Sequence, residues 1–179
     1  MTSPCDPQNA PVGDVATAIM IIDSRIASVH NDAPGPDPEL GVLSDQFIAS
    51  VSAEEADDIL DGACTLIYVF MKWLRECYED HDQEVIEAVV PHFVATMRMM
   101  PKTFPPEVIP TMAGLVIAAG NGLGPGLWRA QYGDWTAAEM TPLEATAFLL
   151  AEHINRIAGD DHTFATRMVT DALTSIEEA

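Results

Sequence analysis

Residues Ser52–Asp80 read SAEEADDILDGACTLIYVFMKWLRECYED, and the fold turns on this stretch. Ser52-Ala-Glu-Glu55 forms a capping box, in which the Ser52 hydroxyl takes the backbone N–H of Glu55 and the Glu55 carboxylate reaches back. Glu54, Glu55, Asp57 and Asp58 crowd the turns that follow. The positive end of the helix dipole favours negative charge there. The pattern predicts one long helix over about residues 53–79. At roughly 100° per residue, Leu60, Ala63, Ile67, Phe70, Met71, Leu74 and Tyr78 share one face. Glu54, Asp58, Asp61, Lys72, Glu76 and Glu79 lie opposite, and Tyr68 and Val69 interrupt this polar face midway. A helix that is apolar nearly all round is buried on several sides. The expectation is an all-α bundle of six or seven helices with this helix at its centre.

On the N-terminal side, residues 1–12 carry Pro4, Pro7 and Pro11 and few apolar groups, the pattern of a loose tail. A single helical domain is expected over 13–179. Asp14 is placed to cap a helix running to about Asn31, striped by Val15, Ile19, Ile22, Ile26 and Val29. The segment Asp32–Pro38 breaks it, and a second helix follows from about Pro38 to Val51.

On the C-terminal side, Asp80-His81-Asp82 reads as a turn before a helix over about 82–99, with Val85, Val89, Phe93 and Met97 on its buried side. Pro91 falls inside that helix and is expected to kink or split it at Val90, on the wet side. A further helix is read from about Pro106 to Ala119, with Gly120 as its C′ residue. GNGLGPG, residues 120–126, is a loop, and a short helical turn over Leu127–Tyr132 stacks Trp128 on Tyr132. Thr141-Pro-Leu-Glu144 is a capping box with proline at the first helical position, predicting a helix from there to Gly159. Asp161 caps the last one, with Ala165, Met168, Val169, Ala172, Leu173 and Ile176 at helical spacing.

Composition narrows the function classes. The chain has 179 residues, is 48% hydrophobic and carries a net charge of −20 from 28 acids and 8 bases. Bare nucleic acid and anionic membrane are therefore poor partners, whereas a basic protein fits. The three cysteines, Cys5, Cys64 and Cys77, form no disulfide framework. The N-terminus shows no signal-type pattern, so the expected location is cytoplasmic. The uncharged run Val108–Trp128 is interrupted by Pro110, Pro125 and five glycines, which reads as a buried core helix rather than a membrane span.

Candidate chemistry centres on the acids. Asp57-Asp58-Ile-Leu-Asp61 resembles the DDxxD pattern with which terpenoid and prenyl-transfer enzymes hold Mg²⁺ on a diphosphate. On the wheel, however, Asp58 and Asp61 lie opposite the apolar stripe, whereas that chemistry needs them facing an apolar cavity. A solvated first turn that compensates the dipole accounts for them. Glu54-Glu55-x-x-Asp58 followed by Glu76-x-x-Glu79 resembles the paired acidic motifs of all-α nucleotide pyrophosphohydrolases. Carboxylates so spaced on facing helices bind Mg²⁺. Here both sets lie on one helix, more than ~25 Å apart, and meet only in an oligomer or after a break near Gly62. His81-Asp82 resembles the HD pair of metal phosphohydrolases, with His30, Asp134 and Asp161 as nominal companions. His81 and His92 are ~16 Å apart along a helix, too far to share an ion. The 120–126 loop lacks the strand and the Lys-Ser/Thr ending of a phosphate loop. Trp128, Arg129, Tyr132 and Trp135 either line a small-molecule pocket or partner hot spot, or plug the end of the bundle.

No catalytic residue, metal ligand or cofactor is assigned from these patterns. The expectation is a non-catalytic acidic helical protein that binds a macromolecular partner through Glu54, Asp57, Asp58, Asp61, Glu76 and Glu79. A homo-oligomer is compatible with the sequence. A metal-dependent all-α phosphohydrolase acting on a nucleotide or diphosphate, and a small-molecule-binding helical module, are the alternatives.

Overall fold

The computed structural model describes residues 18–20, 22, 53–133 and 135–178, with the backbone alone at 53–59, 61, 173 and 175–178. The expected tail over 1–12, the second helix over 38–51 and most of the first helix lie outside these residues. Where the first helix is described, Ile19 and Ile22 of its expected stripe are helical and buried in the core, and so is Ala18 beside them.

The described chain is an all-α bundle. Helix α1 (Ala53–Glu79) is followed by α2 (Val85–Arg98), α3 (Ile109–Gly120), the short α4 (Pro125–Ala130), α5 (Ala137–Ile157) and α6 (Phe164–Glu178). Helix α1 packs against all five of the others, most extensively α5 and α3, so it occupies the centre as expected. Leu66, Ile67, Phe70, Met71 and Leu74 are wholly excluded from solvent. Tyr68 and Val69, which break the polar face, are half-buried against the same core. One contiguous cluster joins these to Val89, Phe93 and Met97 of α2, Met112, Leu115 and Val116 of α3, Leu143, Leu150 and Ile154 of α5, and Ala165 and Val169 of α6.

Helix ends follow local chemistry, and several differ from the sequence reading. Helix α1 stops at Glu79 in a Schellman turn: Gln83 N–H donates to Tyr78 C=O at 2.9 Å and Asp82 N–H to Glu79 C=O at 3.0 Å. Asp82 takes the left-handed C′ position at φ 56°, which glycine more often fills. Helix α3 ends the same way, but its C′ residue is Gly122 at φ 78°, not Gly120. Gly120 belongs to the helix, where its bare Cα admits Met71 and Ile86. Pro91 neither splits nor ends α2, which runs through it with the ring exposed to water.

Helix α5 is capped by Thr136, five residues before the expected cap Thr141. Two capping-box patterns follow one another in the sequence, and the earlier one, Thr136-Ala-Ala-Glu139, starts the helix. Pro142 then sits in the second turn, where it forgoes a single backbone bond. The α5–α6 connection is closed by buried Asn155. Its Nδ2 donates to His162 C=O at 3.2 Å, and its Oδ1 accepts the N–H of Ala165 at 2.8 Å. Asn155 thus caps α6 from a neighbouring helix, while Asp161 takes the Thr163 N–H at 3.0 Å just ahead of it.

Candidate functional site

The Schellman turn that ends α1 opens a five-residue connection, 80–84, to α2, with acids within it and on both sides of it. Glu76 and Glu79 lie in the last turn of α1, Asp80 and Asp82 in the turn itself, and Glu84 and Glu87 at the start of α2. All six carboxylates are exposed. Glu87 lies where the α2 dipole favours an anion. Among the described residues, one cation pairs within this run: Arg75 Nε lies 3.1 Å from Glu79 Oε1. That pair is itself exposed and of the kind that contributes little.

The other acidic run, Glu54 to Asp61, occupies the first turns of α1, and the side chains of Glu54, Asp57, Asp58 and Asp61 lie outside the described residues. Helix α1 is unbroken through Gly62. Glu54 and Glu76 are therefore ~33 Å apart along it at ~1.5 Å per residue. Within one chain the two runs do not share a metal ion. Among the described side chains, no group of three His, Cys, Asp or Glu converges as metal ligands. His81 is exposed on the turn; His30 and Asp134 lie outside the described residues.

The residues around Trp128 divide between core and surface. The Trp128 ring lies directly over Gly114 of α3, so close that a Cβ there would collide with it. The Trp128 and Tyr132 rings lie 5.3 Å apart between centroids but tilted by 58° rather than stacked, and Tyr132 is 69% exposed. Arg129 is buried and fully directed inward. Its Nε and Nη2 reach the two carboxylate oxygens of Glu139 at 2.7 and 2.5 Å, its Nη1 donates to Gly133 C=O at 2.8 Å, and its guanidinium lies 4.8 Å from the Trp135 ring centroid. Glu139 also accepts the Thr136 N–H and hydroxyl at 3.0 and 2.9 Å. The Arg129 bonds, foremost, hold the Glu139 carboxyl below the usual carboxylate range. This arrangement clamps the α4–α5 connection. It engages the guanidinium that a ligand in a pocket here would need.

Sequence reasoning missed a second grouping. Tyr78 of α1, His92 and Phe93 of α2, and His153 of α5 meet where the three helices approach one another. The Tyr78 hydroxyl and His153 Nε2 are 3.1 Å apart. The His153 ring is 5.6 Å from Phe93, edge to face, and 6.0 Å from His92. A signal was present: Tyr78 lies on the apolar stripe of α1, and His153 sits three residues after Leu150 and one before Ile154 on that of α5.

Among the described residues, no helix is long and apolar enough to cross a membrane. Compared with known protein families, curated proteins and solved structures, the chain matches none.

Proposed function

We propose that this is a non-catalytic helical protein that holds a basic segment of another protein on the acidic turn joining α1 to α2. The observation that carries this reading is the exposure of all six carboxylates from Glu76 to Glu87, on and beside a turn whose backbone is pinned by four hydrogen bonds. Like charges crowded on a fixed scaffold repel one another, and a cationic partner relieves that repulsion without reordering the scaffold. Such a contact favours rapid, salt-sensitive association. The acids at the start of α1 extend the same character to the other end of the helix. A metal-dependent phosphohydrolase would require two copies to bring the acidic runs together, and nothing favours that pairing. A ligand module around Trp128 has less support, because Arg129 is occupied by Glu139.

The test compares the wild-type chain with a variant carrying Glu76→Gln, Asp80→Asn, Glu84→Gln and Glu87→Gln, each immobilised and exposed to native lysate. The expected result is a specific protein retained by wild type, released between about 0.1 and 0.5 M salt as the screening length shortens from ~10 Å, and lost by the variant. Equal retention by both proteins, with unchanged circular dichroism, would remove the acidic turn from the interaction.

A further inference from the structure

We propose that His153 is an acid-sensitive latch that holds the end of α1 and the middle of α2 against α5, and that its protonation loosens this junction. With the imidazole proton on Nδ1, the Tyr78 O–H donates to Nε2 across the 3.1 Å contact. A proton taken from solvent attaches to Nε2, the hydrogen bond reverses direction, and the Tyr78 hydrogen turns away. The bond survives, so the change that matters is the added charge.

That charge enters a half-buried site between Phe93 and His92. From α1 the ring meets Tyr78, whose phenol is kept protonated by burial and then by neighbouring Cys77. From α2 it meets His92. On α5, Glu152 adjoins it in sequence and Arg156 lies on its side of the helix, one turn on. Helix α3 carries no titratable side chain, and on α6 Arg167 is paired with Asp161. Among the described residues, the charges of His92 and Arg156 bear on the ring, and both oppose a second cation. Burial first, then His92 and Arg156, hold the imidazole below its ordinary 6.5. The folded value is thus lower than the unfolded one, and the unfolded chain takes up the proton first as the solution is acidified. Stability is complete above about pH 6.5 and declines as pH falls from there through the folded value. Tyr78 lies within the acidic run, between Glu76 and Glu79, and His92 follows it on α2, so loosening the latch also loosens the base of that turn.

Three measurements test this. Histidine NMR titration should place the His153 midpoint below 6.5, and His92→Gln, at an exposed position, should raise it. Melting curves between pH 7.5 and 5 should show the wild type losing about 2–4 °C more than His153→Gln. Amide-exchange protection in α2 should fall over the same range in the wild type alone. A His153 midpoint at or above 6.5, or the same pH dependence in His153→Gln, would overturn the proposal. Should His153→Gln not fold, His92→Gln decides the matter: an unmoved His153 midpoint and an undiminished acid loss would overturn it equally.

Discussion

Removing Glu139 should unlock the junction between α4 and α5. In Glu139→Ala the Arg129 guanidinium stays buried, keeps its bond to Gly133 C=O and its place over Trp135, and loses both carboxylate contacts. Breaking one partner of a buried ion pair costs up to about 3–5 kcal/mol, because the remaining buried charge loses compensation. The same change deletes the capping box at Thr136, a loss of about 1 kcal/mol in its own right. The two are not additive, since a single carboxylate serves both. A total of up to about 3–5 kcal/mol is a large part of the roughly 5–15 kcal/mol that holds a domain together. Urea unfolding followed by circular dichroism should therefore show a much lower midpoint at an unchanged slope. Replacing both partners, as Arg129→Met with Glu139→Leu, should recover much of the loss, because apolar groups of similar size need no compensation. The pair also predicts acid behaviour. The folded Glu139 carboxyl titrates below its unfolded value of 4.5, so its contribution is present above that pH and is lost as pH falls through the folded value. In Arg129→Met, which removes the foremost cause of that lowering, the stability lost on acidification through this range should shrink. If Glu139→Ala costs under about 1 kcal/mol, the pair is effectively solvated and the clamp described here does not exist.

Phe70→Ala, at a position with no exposure, should cost about 3–5 kcal/mol through lost burial and a cavity, with Tyr68→Ala costing clearly less; urea melts of the two variants compare them directly. Gly114→Ala should displace the Trp128 ring at an overpacking cost of about 1–3 kcal/mol, partly offset by the roughly 1 kcal/mol that alanine gains in a helix interior. A changed tryptophan emission without stabilisation is the expected reading. Asp82→Gly should stabilise by about 0.5–1 kcal/mol, because φ 56° is strained for any residue with a Cβ. Thermal melting reads the sign.

The central helix was legible because a cap, a crowded acidic first turn and a long apolar stripe agree over Ser52–Asp80, and its ends fall at Ala53 and Glu79 as read. The start of α5 was not. Thr136-Ala-Ala-Glu139 and Thr141-Pro-Leu-Glu144 are both capping boxes, and proline at the first helical position favours the second. The first prevails because Arg129, ten residues earlier, fixes Glu139, and that contact has no local signature. Gly120 was misread for a related reason: a glycine after an apolar helix suits a C′ site, but here Met71 and Ile86 need its space. Among the functional candidates, the acids of the α1–α2 turn are exposed, as a charged turn should be. The inward direction of Arg129 and the meeting of Tyr78, His92 and His153 depend on helix packing, which no single stretch encodes.

Zero-length carbodiimide coupling in native lysate tests the proposed interaction most directly, because it joins a carboxylate only to an amine in contact with it. The account predicts that partner lysines are captured at Glu76, Asp80, Asp82, Glu84 and Glu87, and that 0.5 M salt abolishes the products. Partner crosslinks absent from this turn, or gathered instead at exposed acids elsewhere such as Glu107 and Asp160, would contradict it.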